Sequence, residues 1–293
     1  MENINIMATI DNSTAEKLMG SFQIPVKPQV LIDIQQEQAK EYPSPSIIAN
    51  IIVKDVALSA AVLKSVNSPI FGLRKKVTDI KQSVIMLGTS YVSNLVTFFI
   101  LKKGMGTKSS ISYEKYWDLA MDTANMMTSL IDTLGLKNKC AIEDAYAFGL
   151  FRDCGIPLMA MKYPDYKDVL IEANNQTDTV MTEIGDRHYQ TNHATVGYFV
   201  ARSWNLPPSL CELISRHHEP DFLEASDASP EQKDLYALAK VAGNVLSQYQ
   251  IGKDEAEWNL VKDSVLGYLG LSEMDYNEIQ EDTKDGLTIQ AEG

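Results

Sequence analysis

An all-α fold is predicted by the sequence on three observations. Apolar residues recur every three to four positions in most segments, whereas the alternation typical of strands never persists between paired turn motifs. Serine, threonine or aspartate precedes several of the periodic segments, and glycine closes others. No longer period repeats along the 293 residues, so a helical solenoid is not expected.

A first helical lobe is predicted at residues 21–103, after a flexible leader at residues 1–20. Ser44, Asp55 and Thr78 are predicted to cap helices, because their side-chain oxygens can accept the free N–H groups of a first turn. Gly88 is predicted to end a helix in the left-handed conformation. The predicted helices lie around Gln29–Ala39, from Pro45, from Asp55 to Asn67, from Thr78 to Gly88, and over Tyr91–Lys103.

The Gly- and Ser-rich segment at residues 104–112 is the predicted linker to a second lobe at residues 113–270. The helices predicted there are Tyr113–Leu134, Ile142–Phe151, Tyr166–Asn174, His193–Trp204, Ser209–Arg216 and Glu231–Tyr249. Residues 271–293 form an acidic tail with few large apolar residues, so most of this tail is predicted to be frayed or disordered.

Charge and cysteine usage narrow the classes of function. The 26 basic and 39 acidic residues give a formal charge of −13, which opposes binding to nucleic acids and to anionic membranes. No apolar run approaches the ~20 residues that span a bilayer.

The three cysteines, Cys140, Cys154 and Cys211, are odd in number and lack CxxC spacing, which disfavours a disulfide framework and a zinc knuckle. A reducing cytoplasm is therefore the expected location.

Three of the four histidines, His193, His217 and His218, lie in one short stretch of the second lobe. Imidazole is a frequent metal ligand, so the cluster is a candidate metal or phosphate site. His193 shares a helix face with Val196 and Val200 and is predicted to point inward. The alternatives are a hydrogen-bonded core histidine at position 193 and a cationic helix cap at positions 217 and 218.

Asp153 follows an apolar helix and is expected near buried surface, where a carboxylate needs a cation. That cation is either a metal ion or a basic side chain such as Arg152 or Arg216. On the residues alone, a salt bridge or a helix cap is the simpler explanation.

Several motifs in one order resemble the HDOD family. They are IPVKP at 24–28, KDVAL at 54–58, NSPIFG at 67–72, HATVG at 193–197, WNLP at 204–207 and HHEP at 217–220. The similarity runs from about residue 20 to residue 250. It implies a two-lobed helical domain whose C-terminal lobe is a bundle like that of the HD metal-dependent phosphohydrolases, which include the HD-GYP cyclic-dinucleotide phosphodiesterases.

In active HD relatives, histidines and aspartates hold two metals, and the resemblance maps part of that set onto this chain. Positions that keep a ligand are Asp153, His193, His217 and His218. Positions expected to have lost one are Leu119, Arg152 and Gly243. The resemblance therefore implies one divalent ion (Fe, Mn or Zn) at most, and no catalytic residue is assigned.

Three functions stay open. The first is a non-catalytic bacterial signal-transduction protein that acts through regulatory protein partners. The second is a metal-dependent phosphohydrolase that uses the reduced ligand set. The third is a sensor in which Arg152 and His217 bind a nucleotide or phosphate ligand without cleaving it.

Overall fold

A computed structural model describes residues 20–22, 24–68, 71, 73, 75–106 and 108–291, with side chains as far as residue 283. The predicted leader lies outside these ranges except for Gly20, and so do Pro69, Ile70 and Gly72 of the 67–72 motif. All regular structure among the described residues is helical, which confirms the all-α prediction.

The described helices follow one another with short connections. Those of the first lobe are α1 (Gln29–Gln38), α2 (Pro45–Ile52), α3 (Val56–Val66), α4 (Ile80–Leu87) and α5 (Thr89–Gly104). Those of the second are α6 (Tyr113–Thr133), α7 (Ile142–Phe151), α8 (Ile156–Lys162), α9 (Tyr166–Asn175), α10 (Met181–Tyr189), α11 (His193–Ser203), α12 (Pro208–Arg216), α13 (Pro230–Ile251), α14 (Trp258–Leu269) and α15 (Glu273–Ala291).

Two of the three predicted caps in the first lobe are wrong. The Asp55 carboxylate accepts two N–H groups in the first turn of α3, as predicted. Ser44 stands at the N-cap position of α2, but its side chain makes no cap hydrogen bond, and its backbone N–H donates to the buried Glu37 carboxylate at 3.0 Å. Asp79 caps α4 in place of Thr78, since the helix begins one residue later than predicted.

The fifth helix joins the two lobes. Tyr91 near the start of α5 stacks on Tyr146 of α7 with ring centroids 4.0 Å apart. Phe98, two turns later, packs edge-on against Trp117 of α6 at 5.1 Å. Most buried apolar side chains consequently belong to one core that extends through both lobes. The boundary at residues 104–112 stays a prediction.

A close helix contact shapes the second lobe around α6, α7 and α13. A Cβ on Gly149 of α7 would lie 2.4 Å from the Cα of Ala124 in α6, so only glycine allows this approach. The last seven residues of α7 are all buried as a result. The end of α7, from which Arg152 and Asp153 continue, is thereby held firmly in the core.

The prediction of a disordered acidic tail is wrong over its described part. Tyr276 and Ile279 of α15 are 4% and 7% exposed and pack against the body of the second lobe. Tyr276 stacks on Trp258 at 5.1 Å, and its hydroxyl accepts a hydrogen bond from Asn244 at 2.7 Å. Two apolar side chains are thus enough to dock α15, whose other face is acidic.

The sequence prediction also missed three helices elsewhere in the second lobe, α8, α10 and α14.

Within the described residues, no single helix is both long enough and apolar enough to cross a bilayer. The helices α4 and α5 pass that test only as a pair, and they meet at an angle of 115°. Gly88 stands at the bend with φ 86° and ψ 155°. Its positive φ agrees with the prediction, although this ψ lies outside the left-handed helical region.

We expect Tyr276→Ala to lower the free energy of unfolding by about 3 kcal/mol, because it opens a cavity against Trp258. Met274→Ala is the matched control on the same helix. Met274 is 80% exposed, so its replacement should change stability by less than about 0.5 kcal/mol. Urea denaturation measures both, and equal midpoints for the two variants would mean that α15 does not pack in solution.

Candidate metal centre

The four residues predicted to ligate a metal lie at three helix ends. Asp153 follows the end of α7, His193 is the first residue of α11, and His217 and His218 follow the last turn of α12. One ligand atom from each of them lies within 4.8 Å of all the others. The structure thus brings the whole predicted ligand set together.

Two neighbouring residues set the position of His193. The Asn192 side chain caps α11 by accepting the N–H of Thr195 at 2.9 Å, which fixes the first turn of the helix. Gly155 lies directly beneath that turn, and a Cβ at this position would be 2.0 Å from the carbonyl oxygen of His193. The missing side chain allows the turn that carries Asp153 to reach α11.

The ligand atoms face one another at short range. Asp153 Oδ1 is 3.5 Å from His193 Nε2 and 3.3 Å from His217 Nε2. His193 Nε2 is 2.9 Å from His218 Nε2. His193 and His217 are 1% and 4% exposed, whereas the Asp153 side chain is 24% exposed. His193 and His217 are thus buried, and solvent reaches the centre at the carboxylate.

Hydrogen-bond partners decide which ring nitrogens carry protons. The Nδ1 atom of His217 lies 2.7 Å from the carbonyl oxygen of Ile214, so this nitrogen must donate. The Nδ1 atom of His218 lies 2.7 Å from both Glu257 oxygens and must donate as well. In the neutral rings the two Nε2 atoms are therefore lone-pair acceptors that point into the centre. The contact with Ile214 is made to a helix carbonyl, as in the predicted cap, but by a ring whose burial disfavours the cationic form.

Burial keeps these rings neutral. It lowers the pKa of His217, and it lowers that of His218 to about 3 against the opposing effect of Glu257. Burial alone would raise the pKa of Asp153, but the charge of Arg152 and the adjacent histidines hold it well below its ordinary value. The centre therefore presents an ionised Asp153 carboxylate and neutral His217 and His218 rings, which are the forms that bind metal.

This donor set fits one divalent cation. Asp153 Oδ1, His217 Nε2 and His218 Nε2 converge as acceptors. His193 Nε2 can carry at most one proton, which can satisfy only one of them. A cation would satisfy them all. Three imidazoles and a carboxylate suit Zn, Fe or Mn.

A second layer of charge supports His218. Glu257 accepts from His218 and also from the ammonium group of Lys240 at 3.1 Å and the backbone N–H of Met181 at 2.7 Å. Burial raises the pKa of Glu257, but the effects of His218 and Lys240 outweigh it and keep the carboxylate ionised. A carboxylate behind a ligating histidine fixes the ring and increases its basicity.

The predicted ligand-binding residue Arg152 is turned toward protein groups. Its Nε donates to Asp153 Oδ2 at 3.0 Å, and one terminal nitrogen donates to the carbonyl oxygen of Ala239 at 3.3 Å. The other terminal nitrogen is 3.6 Å from Glu255. Arg216, the other cation considered for Asp153, pairs elsewhere, with carboxylates of its own region.

The expectation that Leu119 occupies a former ligand position stays a prediction. Leu119 is 41% exposed on α6. Tyr116, one turn earlier, has a buried hydroxyl that forms no hydrogen bond. Burial raises the pKa of the Tyr116 hydroxyl, and the nearby Cys154 and Asp153 raise it further. Tyr116 therefore lies close enough to the centre to interact with Asp153.

Sequence reasoning missed Glu255, Glu257 and Lys240. The two glutamates lie in a polar segment between α13 and α14 that resembles a solvated loop. Lys240 carried a usable signal, because it interrupts the apolar face of α13 and a buried lysine needs a counter-ion.

Comparisons with known proteins agree with this architecture. The HDOD domain model matches residues 24–220. An uncharacterized protein of Treponema pallidum (strain Nichols) is 30% identical over 203 residues, which cover 67% of this chain. That alignment covers only 37% of the Treponema protein, so the chain spans little more than a third of its relative.

Solved structures share the fold at low sequence identity. An HDOD domain protein of unknown function from Geobacter sulfurreducens superposes with a TM-score of 0.68 at 19% identity, over 94% of this chain and 93% of that one. A Shewanella amazonensis SB2B protein, provisionally assigned as a phosphohydrolase, gives 0.66 at 19% identity over 90% and 91%. A Marinobacter aquaeolei VT8 protein, provisionally assigned to signal transduction, gives 0.69 at 18% identity over 98% and 67%.

We expect Gly155→Ala to destabilise the protein by at least about 1–3 kcal/mol, because the added methyl overlaps the His193 carbonyl and forces α11 away. Gly155 has ordinary helical backbone angles, so the effect is steric. Gly267→Ala is the control, since a Cβ there meets nothing within 4 Å. It should stabilise α14 by up to about 1 kcal/mol. Chemical denaturation measures both changes, and an equal response of the two variants would contradict the close approach.

Proposed function

The chain belongs to the HDOD family, and from that premise we propose that it is a non-catalytic regulatory protein of bacterial signal transduction. In this proposal the cluster of Asp153, His193, His217 and His218 holds one divalent metal ion as a structural element. The protein then acts by binding other proteins in the cytoplasm.

One observation carries the metal-binding part of the proposal. Three segments that are distant in sequence place four ligand atoms within 4.8 Å of one another, and at least two of the rings point lone pairs inward. Buried acceptors without a donor are costly, at roughly 1–3 kcal/mol each. A bound cation removes that cost and links the ends of α7, α11 and α12.

The same centre supports a non-catalytic role. The two-metal hydrolysis of the active HD relatives needs ligands for a second ion that can generate hydroxide and hold the phosphoryl oxygens. Here Arg152 follows α7 as a cation, and Gly243 offers no side chain. The remaining ligands are sufficient for one metal.

Metal-dependent phosphohydrolysis is the alternative that the retained ligands favour. A bound ion would supply Lewis-acid chemistry. Asp153, the most exposed of the four ligands, would lie beside any phosphate that reached the ion.

The nucleotide or phosphate sensor is less well supported. Arg152 and His217, its proposed binding residues, already contact protein groups, so an anion would have to displace these contacts.

Partner binding has a candidate surface in the first lobe, which we call the valine–lysine face. It comprises Val26, Lys27, Val53, Lys54, Val56 and Lys103. The three valines are 91%, 56% and 82% exposed. A contact of Gly104 with Pro25 and a 3.8 Å contact of Lys103 with Asp55 join the three segments into one surface.

Charge favours an acidic protein segment with apolar side chains as the partner of this face. Residues 20–106 contain ten basic and five acidic residues, although the whole chain has a formal charge of −13. A basic region in an acidic protein attracts acidic partners, and exposed valines provide apolar contact area.

We expect the purified protein to contain about one equivalent of Fe, Mn or Zn and to show no phosphodiesterase turnover. His193→Ala should weaken metal binding more than ~100-fold, because it removes a ligand and not only a supporting group. His188→Ala is the control, since His188 pairs with Glu172 outside the cluster and should leave the metal content unchanged.

Elemental analysis and a phosphodiesterase assay distinguish the functions. Stoichiometric metal with turnover that is abolished by His193→Ala would establish the enzyme and reject the non-catalytic proposal. Heat on calorimetric titration with cyclic dinucleotides, without turnover, would favour the sensor.

We expect Lys54→Glu combined with Val56→Ser to abolish retention of the native partner in a quantitative pull-down. The wild-type complex should also weaken as salt is raised, because the attraction is electrostatic. Lys137→Glu in the second lobe is the control and should retain the partner. Equal recovery by wild type and the double variant would contradict the assignment of this face.

A further inference from the structure

A carboxylate from elsewhere in the chain fills the space beside Gly243. A Cβ built on Gly243 would lie 2.4 Å from Glu255 Oε1 and 2.8 Å from Oε2. Glycine at this position of α13 therefore makes room for the Glu255 head group. Position 243 has no side chain, but the Glu255 carboxylate lies in the space that such a side chain would fill.

The Asn244 side chain holds the segment that carries Glu255. Its oxygen accepts the backbone N–H of Glu255 at 2.7 Å, and its amide donates to Asp254 and to the Tyr276 hydroxyl. Asn244 is fully buried. The position of Glu255 is thus set by α13 and by the docked tail helix, and it is not that of a loose surface side chain.

The guanidinium group of Arg152 lies between two carboxylates. It contacts Asp153 Oδ2 at 3.0 Å and Glu255 Oε1 at 3.6 Å, and its side chain is only 12% exposed. The other oxygen of Asp153 faces the histidines. Asp153 therefore has one oxygen directed to a fixed organic cation and one directed to the candidate metal position.

The fixed cations around the centre favour one divalent ion. Arg152 Nε lies 3.0 Å from Asp153 Oδ2, and Lys240 Nζ lies 3.1 Å from Glu257 Oε2. A second divalent ion beside Asp153 would have to lie within a few ångströms of the Arg152 charge. Like charges confined within a few ångströms in a buried site repel one another strongly.

We infer that Arg152 is a built-in cation that replaces a second metal ion beside Asp153, with Glu255 as its counter-ion. This pair restricts the centre to a single metal. The inference rests on the proposed metal binding by the four ligands. It adds that the stoichiometry is set by one residue, and that removing its charge uncovers donors for a second ion.

The test is a metal titration of the full-length protein after chelation and buffer exchange, with Zn²⁺ and Mn²⁺ as probes. Arg152→His removes the fixed charge, adds an imidazole beside Asp153 and releases Glu255. We expect two bound equivalents in this variant against one in wild type. The double variant Arg152→His with Glu255→Gln should return to one equivalent.

Two controls separate charge from general disturbance. Arg152→Lys keeps the positive charge and should stay at one equivalent. Arg216→His removes an arginine that also bridges two carboxylates, Glu219 and Asp227, and should stay at one equivalent as well. Circular dichroism and thermal melting report whether each variant is folded.

A second measurement applies if Arg152→His does not fold. Arg152→Gln removes the charge without adding a ligand, so the first metal ion should bind at least about tenfold more tightly than in wild type. An affinity equal to that of wild type would overturn the inference.

The outcomes distinguish this inference from the function on which it rests. A wild-type protein that binds no metal would reject the proposed metal site. One equivalent in both wild type and Arg152→His, or two equivalents in Arg152→Lys, would overturn the role of the Arg152 charge and leave the metal site standing.

Discussion

The carboxylate of Asp153 is the interaction on which the rest of the centre depends. One oxygen is bound by Arg152, and the other lies within 3.5 Å of His193 and His217. This geometry requires that α7 end at a fixed depth in the core, which the close packing of Gly149 on α6 provides. It also requires that the following turn touch α11, which the absence of a side chain at Gly155 permits. Two glycines at helix contacts therefore control the electrostatics of the site.

Buried charges at this centre are arranged in pairs that satisfy one another. Isolating any one of them would be costly, and removal of one partner from a buried pair typically costs about 3–5 kcal/mol. Arg152 is shared between Asp153 and Glu255, and Glu257 is shared between His218 and Lys240. Such networks are a poor source of net stability, but they hold side chains in one arrangement. The rigidity of the histidine rings is the property that a metal site needs.

The structure brings together the four side chains that the sequence predicted as ligands, and the histidines among them have local signatures. His193 begins a helix after an asparagine cap, and His217 and His218 end one before a proline, so their places at helix termini could be read directly. Glu255 and Glu257 have no such signature. Acids between two helices usually lie in solvent, and only the three-dimensional position of Gly243 and Lys240 shows that these two face the core. The same limit explains the tail, where Tyr276 and Ile279 are too few to create a visible period but are sufficient to dock α15.

The separation of the ligands along the chain has a consequence for stability. Asp153, His193 and His218 are brought together only by folding of the second lobe, so the unfolded chain has no preformed site for a metal. An ion that binds only the folded state stabilises it by about 2.7 kcal/mol at a free concentration one hundred times its dissociation constant. The ends of α7 and α11 would gain this stability, and both helices share a core with α5. Tyr91 near the start of α5 stacks on Tyr146 of α7, and Lys103 near its end belongs to the valine–lysine face. A metal bound in the centre would therefore stiffen the scaffold that carries the proposed face, and this effect would not require turnover.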